Sequence, residues 1–476
     1  MSFATLAIAA PEIWLAVLAM GLLMAGAFSR RHATDVVNVL TLAGLAVAGL
    51  LVVFFSGQGG QSAFGGAFVV DNLARIMKAL VLFAAALAII MSVHYMKWEE
   101  IERFEYPVLI VLATLGMLAM ISANGLIALY MGLELQSLAL YVLAAINRRS
   151  AAAAEAGLKY FVLGALSSGL LLYGASLVYG FAGTTAYAGI AEALKGGVPI
   201  GLIVGLVFVL AGLAFKISAV PFHMWTPDVY QGAPTPVVAF FAAAPKLAAF
   251  AVIIRLLFEA FPGAVEHWRQ VIVFMSFASM VLGAFAGIAQ DNIKRLLAYS
   301  SIGHMGFVLM ALAAGGPQGL RGAVLYLVIY AVMTIGAFSA VIAMRRDGRA
   351  VEEIDDFAGL ARTNPGLAFA TGALMFSLAG IPVLAGFFAK YFVLLAVVKA
   401  GLWPLFIAGV LSSVVAAVYY LRVVKVMYFD EPKEPLAAAP LELKLLLALS
   451  VVFVLGFVFW PAPVEWLAQA AIRPFL

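Results

Sequence analysis

The chain has 476 residues, of which 65% are hydrophobic and 11% charged, with a formal net charge of +4 and no cysteine. Soluble domains run near ~45–50% apolar and ~25% charged, so this composition excludes a soluble globular enzyme and describes an integral membrane protein. The lack of cysteine excludes a disulfide or a thiolate-held iron–sulfur cluster in this chain, and no basic stretch interleaved with aromatics points to nucleic acid.

Lipid offers the backbone no hydrogen-bond partners, so only helices and closed barrels span it. A barrel predicts alternating segments of about 10 residues; the apolar runs here are longer and do not alternate. At about 20 residues per span, the chain reads as all-α with about 14 transmembrane helices. They fall near 11–28, 36–55, 71–94, 106–122, 124–146, 154–180, 200–220, 235–260, 270–289, 294–314, 319–344, 364–399, 402–427 and 441–460. The first apolar run has no positive region before it, which predicts a span and not a cleaved signal peptide.

With the N-terminus outside, the odd-numbered loops and their flanks carry Arg30, Arg31, Lys97, Arg103, Arg148, Arg149, Lys294, Arg295, Arg345, Arg346, Arg349, Arg422, Lys425 and Lys433. The opposite loops carry little beyond Lys195, Arg269, Arg321 and Lys399. This asymmetry is the positive-inside pattern. It predicts an even number of spans and puts both termini on the periplasmic side.

Two spans are interrupted. In Ala214-Phe-Lys-Ile-Ser-Ala-Val-Pro221-Phe-His-Met-Trp-Thr-Pro227, Pro221 removes a backbone donor and clashes with the preceding turn. The twelfth span is too long for one plain helix and contains Gly380, Pro382 and Gly386 ahead of Lys390. Irregular backbone at membrane depth survives only inside protein or along a wet cavity. Interrupted helices in corresponding halves predict internal repeats with a site at the breaks. Five spans per repeat is odd, so the second copy is inverted. The expected units are 1–105 (helices 1–3), 106–260 (first repeat, helices 4–8), 261–430 (second, inverted repeat, helices 9–13) and 431–476 (helix 14).

Five charges sit inside expected spans: Glu134, Lys159, Lys216, Lys246 and Lys390. Each costs at least roughly 2.5–3.5 kcal/mol at the bilayer centre on insertion scales. Together they predict an ion or proton path in place of a scaffold. Glu134 is about ten residues from either helix end, too deep to snorkel. Lys159 lies on the next helix, and antiparallel neighbours bring it toward Glu134. For each residue taken singly, a structural ion pair, snorkelling or capping of free carbonyls is the plainer alternative. His223 reads either as a relay or as a pin for the loop. His304 reads either as part of the path or as a packing residue. Glu12, Arg75 and Lys78 lie near helix ends and read as interfacial. No Walker loop, dinucleotide fingerprint or metal-spaced histidine pair occurs.

Four phrases carry a resemblance over essentially the whole chain: Tyr130-Met-Gly-Leu-Glu-Leu-Gln-Ser-Leu-Ala-Leu-Tyr141, Lys159-Tyr-Phe-Val-Leu-Gly-Ala-Leu-Ser-Ser-Gly169, Pro221-Phe-His-Met-Trp-Thr-Pro-Asp-Val-Tyr-Gln-Gly-Ala-Pro-Thr-Pro236 and Asp291-Asn-Ile-Lys-Arg-Leu-Leu-Ala-Tyr-Ser-Ser-Ile-Gly-His304. The chain resembles the antiporter-like membrane subunits of respiratory complex I (NADH:quinone oxidoreductase), and among them subunit N, also called subunit 2. The resemblance implies fourteen helices, inverted five-helix repeats, and breaks in helices 7 and 12. It also implies a proton channel through Glu134, Lys159, Lys216, Lys246 and Lys390. The chain itself is expected to hold no cofactor, while the complex uses NADH, FMN, iron–sulfur clusters and quinone. Implied partners are the antiporter-like M and L subunits, small K- and J-type subunits, the lipid bilayer and protons, in a bacterial inner membrane. A multi-subunit cation/proton antiporter is the alternative; a purely structural subunit is disfavoured by five intramembrane charges.

Overall fold

The computed structural model describes residues 3–29, 33–54 and 60–476; Arg30 and Arg31 lie outside these. Helices occupy every expected segment. They run α1 Ala10–Phe28, α2 Ala33–Phe54, α3 Asn72–Trp98, α4 Glu105–Ile121, α5 Leu126–Ala144 and α6 Ala151–Ala182. Next come α7 Ile200–Lys216, α8 Trp225–Gly232, α9 Thr235–Arg255, α10 Val265–Ile288, α11 Ile293–Ala314 and α12 Gly316–Ala343. Then follow α13 Pro365–Ala379, α14 Ala385–Lys399, α15 Trp403–Phe429, α16 Leu441–Gly456 and α17 Ala462–Ile472, besides short helices at Phe3–Ile8, Tyr187–Ala193 and Leu360–Thr363. Among the described residues ten helices are long and apolar enough to cross a membrane, and the protein is a multi-pass membrane protein. Two short antiparallel hairpins, Gln61–Val70 and Arg345–Ala350, were not foreseen.

Polar residues set the helix starts. The Asp71 carboxylate accepts from Ala74 N at 2.8 Å, and the Asn292 side chain accepts from Lys294 N and Arg295 N, so each satisfies amides that would otherwise be free. α9 is buried along its whole length and, with α11 and α12, forms the centre of the molecule. α1, α2 and α15 keep broad apolar faces exposed, as lipid-facing helices do.

Ion pairs collect the basic loop residues on one end. Lys97 pairs with Asp35 (2.9 Å), Arg345 with Glu99 (2.7 Å), Lys294 with Glu352 (2.8 Å) and Arg422 with Asp291 (2.6 Å). Lys433 bonds Asp356 at 2.9 Å and, with Arg346, holds that carboxyl below the usual carboxylate range. Apart from Arg346–Asp356, which lies within one loop, each of these pairs joins one odd-numbered loop or its flank to another, and Arg321–Glu465 (3.0 Å) joins residues of the opposite set.

Close approach of α4 and α5 positions Glu134. A Cβ on Gly132 would lie 2.7 Å from Met120 N and 2.9 Å from the Gly116 carbonyl oxygen. Gly132→Ala must therefore push two backbones apart, an overpacking cost of about 1–3 kcal/mol. The expected result is a lower melting temperature of the assembled protein; unchanged melting contradicts this packing.

Candidate proton path

Both breaks are built from unusual backbone. α7 stops at Lys216, four residues short of the expected end, because Ser218 turns into the left-handed region at φ 62°. At the second break Gly380 has φ 87° and Val383 has φ 80°. A β-branched residue there is strained, and such strain persists only where surroundings over-determine it. The freed backbone groups find side chains. Trp225 Nε1 donates to Phe215 O at 2.9 Å, and Val220 N donates to Ser279 Oγ at 2.9 Å. At the second break Gly386 N donates to Ser377 Oγ at 3.0 Å, and Lys390 Nζ donates to Ala379 O at 2.7 Å. Carbonyl capping by lysine thus holds for Lys390 and not for Lys216.

Lys216 is buried and donates to Ser137 Oγ at 2.7 Å and to Tyr141 OH at 3.4 Å, both on α5. Its ammonium also lies 5.6 Å from the Tyr141 ring centre. From there an aromatic ladder crosses to the second lysine. Tyr141 meets Tyr160 edge-on at 4.9 Å, Tyr160 stacks on Trp225 at 4.3 Å, and Trp225 meets Tyr230 at 6.4 Å. Lys246 Nζ lies 5.8 Å from the Tyr230 ring. Among the described residues no side-chain hydrogen bond links the Lys216 group to the Lys246 group.

Beyond the ladder the site becomes hydroxyl-rich. Lys246, 1% exposed, donates to Ser301 Oγ, which bonds Tyr330 OH at 2.7 Å. His304 is one turn further on the same face of α11. Its Nδ1 bonds Tyr326 OH at 2.6 Å, its Nε2 bonds Tyr420 OH at 3.2 Å, and Tyr420 in turn bonds Ser300. A cavity of about 20 Å³ is lined by His304, Ser300, Tyr420 and Lys390, room for about one water. Lys390 closes the row, bonded to Ser413 Oγ at 2.7 Å.

Two expectations need correction. Lys159 does not meet Glu134. Its ammonium pairs with Glu155 and Asp228, both at 2.7 Å, and it is 40% exposed. The Glu134 carboxylate instead accepts from Ser168 Oγ on α6 and feels the charge of Lys216. Glu155, one turn before Lys159 on the same helix, and Asp228, which α8 brings beside it, take the ammonium in place of Glu134. Second, Glu12 and Lys78 are not interfacial. They form a buried pair at 2.6 Å, where Lys78 is 2% exposed. Nearby, buried Arg255 holds Asp71 at 2.9 Å and Glu259 at 2.7 Å. The Arg255/Glu259 spacing of four residues is an i,i+4 pair legible in the sequence; nothing local pointed Arg255 at Asp71. His223 is half-buried, its Nδ1 has no hydrogen-bond partner, and it lies off the Ser–Tyr–His row.

Two broken helices, each with a lysine beside the break, flanking a row of buried lysine, serine, tyrosine and histidine, define an antiporter-like membrane subunit. The family model described as "NADH:quinone oxidoreductase/Mrp antiporter, TM" matches residues 123–416. NADH-quinone oxidoreductase subunit N 1 of Rhizobium meliloti (strain 1021) is 59% identical over 99% of this chain and 98% of its own length. Subunit N of Parvibaculum lavamentivorans is 58% identical over 98% and 97%. A chain of respiratory complex I from Thermus thermophilus superposes with a TM-score of 0.81 at 33% identity, covering 96% of this chain and 99% of that one. A chain of the Mrp complex from Dietzia sp. has a TM-score of 0.88 at 23% identity over 99% and 98%, a likeness of fold alone. This chain belongs to the subunit N family of NADH-quinone oxidoreductases.

Proposed function

We propose that this chain translocates protons in the membrane arm of an NADH:quinone oxidoreductase, driven by quinone reduction elsewhere in the complex. The observation that carries the reading is the row from Lys246 through Ser301 and His304 to Lys390, set between two strained helix breaks. Lysines in such a row exchange protons with hydroxyls and water at hydrogen-bond range, whereas the aromatic ladder beside Lys216 offers rings in place of donors. The ladder therefore separates an entry group, Lys216 with Glu134, from an inner group, Lys246 with Lys390. Lys159 biases the entry group electrostatically. Moving one charge against 100 mV costs about 2.3 kcal/mol, so modest rearrangement of these charges suffices to drive a step. His304 acts as relay.

The same reading has fourteen spans, with 1–105 and 431–476 flanking two inverted repeats over 106–260 and 261–430. The ion pairs that join odd-numbered loops support an even count; by the positive-inside rule the basic end faces the cytoplasm, with both termini periplasmic in a bacterial inner membrane. NADH, FMN, iron–sulfur clusters and quinone belong to other subunits; a chain without cysteine suits that division. Neighbours are M-, L-, K- and J-type subunits.

The test is reconstitution of the whole complex with Lys216→Ala or Glu134→Ala, followed by pH-dye quenching with NADH and quinone. Reduced quenching per NADH oxidised is expected. Wild-type quenching per NADH in both variants contradicts the roles given to the entry group.

A further inference from the structure

α8 is only eight residues long, yet it touches the chain neighbours of both Lys159 and Lys216, and Lys159 itself. Trp225 in its first turn stacks on Tyr160, the neighbour of Lys159, and donates to the carbonyl of Phe215, the neighbour of Lys216. Asp228, one turn later, is shared between two cations on different helices. Its Oδ2 holds Lys159 of α6 at 2.7 Å, and its Oδ1 holds Arg295 at 2.6 Å in the first turn of α11. Arg295 also bonds Gln231 Oε1 at 3.1 Å. α11 is the helix that carries Ser300, Ser301 and His304. A single carboxylate thus ties the lysine beside the entry group to the helix of the inner group.

Lys159 has two acidic sources of attraction in this structure, Glu155 and Asp228, and Glu134 is not one of them. Glu155 sits on the same helix and moves with Lys159. Asp228 sits on the separate half-helix beyond the break, and Arg295 competes for it. We propose that Asp228 is a positioning residue that holds Lys159 away from Glu134, and that Arg295 sets the strength of that hold, so that displacement of α11 or α8 alters the field of Lys159 at the entry group. This rests on the proton-path reading above. A rigid ion-pair rivet is the structural alternative, and it makes a different prediction: loss of the rivet lowers assembly and turnover together and leaves protons per NADH unchanged.

The experiment compares Asp228→Asn, Asp228→Glu, Lys159→Met and the double variant Lys159→Met/Asp228→Asn in the reconstituted complex, measuring NADH oxidation and proton uptake together. Asp228→Asn is expected to lower protons per NADH as far as Lys159→Met does. Asp228→Glu is expected to restore most of the ratio. The double variant is expected to match Lys159→Met alone, because Asp228 acts through that lysine. Should Asp228→Asn block assembly, Arg295→Gln leaves the Lys159–Asp228 pair intact and removes its competitor; the ratio is then expected to fall as well. An unchanged ratio in Asp228→Asn, or in Arg295→Gln where that variant is used, overturns the proposal, as does a double variant whose losses multiply. If Lys159→Met itself pumps normally, the biasing role of Lys159 and this proposal fail together, while the proton path stands or falls on Lys216→Ala and Glu134→Ala.

Discussion

Lys246→Met should abolish proton pumping by the assembled complex without destabilising it. Lys246 sits on α9, the helix buried along its whole length, and has no carboxylate partner among the described residues; its one hydrogen bond is to Ser301. A buried cation without a counter-ion costs several kcal/mol even after relaxation, and replacing buried charge by a well-packed apolar side chain is often neutral or stabilising. Methionine is unbranched and adapts to irregular gaps. A lysine retained only for packing would therefore be the poorer choice. Removal of a positioned proton-transfer group typically lowers a rate by about 10²–10⁴-fold, and a loss of pumping in that range is expected. Dye quenching per NADH measures the first half of the prediction, and thermal melting of the purified complex measures the second. Wild-type pumping refutes the role of Lys246; a lowered melting temperature with intact pumping makes it a structural residue.

Arg255→Met should do the opposite: damage stability and spare the proton path. Arg255 is 1% exposed and holds Asp71 through two hydrogen bonds at 2.9 Å, with Glu259 at 2.7 Å. Removing one partner of a buried pair strands the other, at about 3–5 kcal/mol. Here two carboxylates are stranded, and one of them, Asp71, also caps α3. The N-terminal helices are expected to loosen from α9 first, seen as faster amide exchange across 72–98 and a lower melting temperature. Arg255→Met combined with Asp71→Asn is expected to recover part of the loss, since it removes charge on both sides. A single variant that melts like wild type contradicts the buried network.

The outcomes differ because the two sites solve burial differently. The Arg255 cluster neutralises its charges in place, which suits a fixed joint between helices. The Lys246–Lys390 row leaves its lysines with hydroxyl and carbonyl partners only, which suits groups that must change protonation.

Much of this architecture was legible from local chemistry. The helices follow from apolar runs of spanning length, and their starts coincide with residues such as Asn292 because a free first turn needs an acceptor. Pro221 and the Gly380–Pro382 stretch marked both interruptions. Lys216, Lys246 and Lys390 stood out because a charge is expensive wherever the surrounding sequence is apolar, and all three are buried. Lys78 satisfied the same criterion but was set aside for its nearness to a helix end, a measure of distance along the chain that ignores what packs around it.

Partnership was decided only in three dimensions. Sequence placed Lys159 and Glu134 on neighbouring helices, yet Asp228, reached through the break and far along the chain, takes the lysine. Lysine beside each break read alike, yet Lys390 caps a carbonyl while a tryptophan does that work beside Lys216. Apolar patterning and helix breaks act over a few residues, so the order of residues determines them. Ion pairs are chosen by whichever charges the packed helices bring within reach, and that choice exists only once the helices have come together.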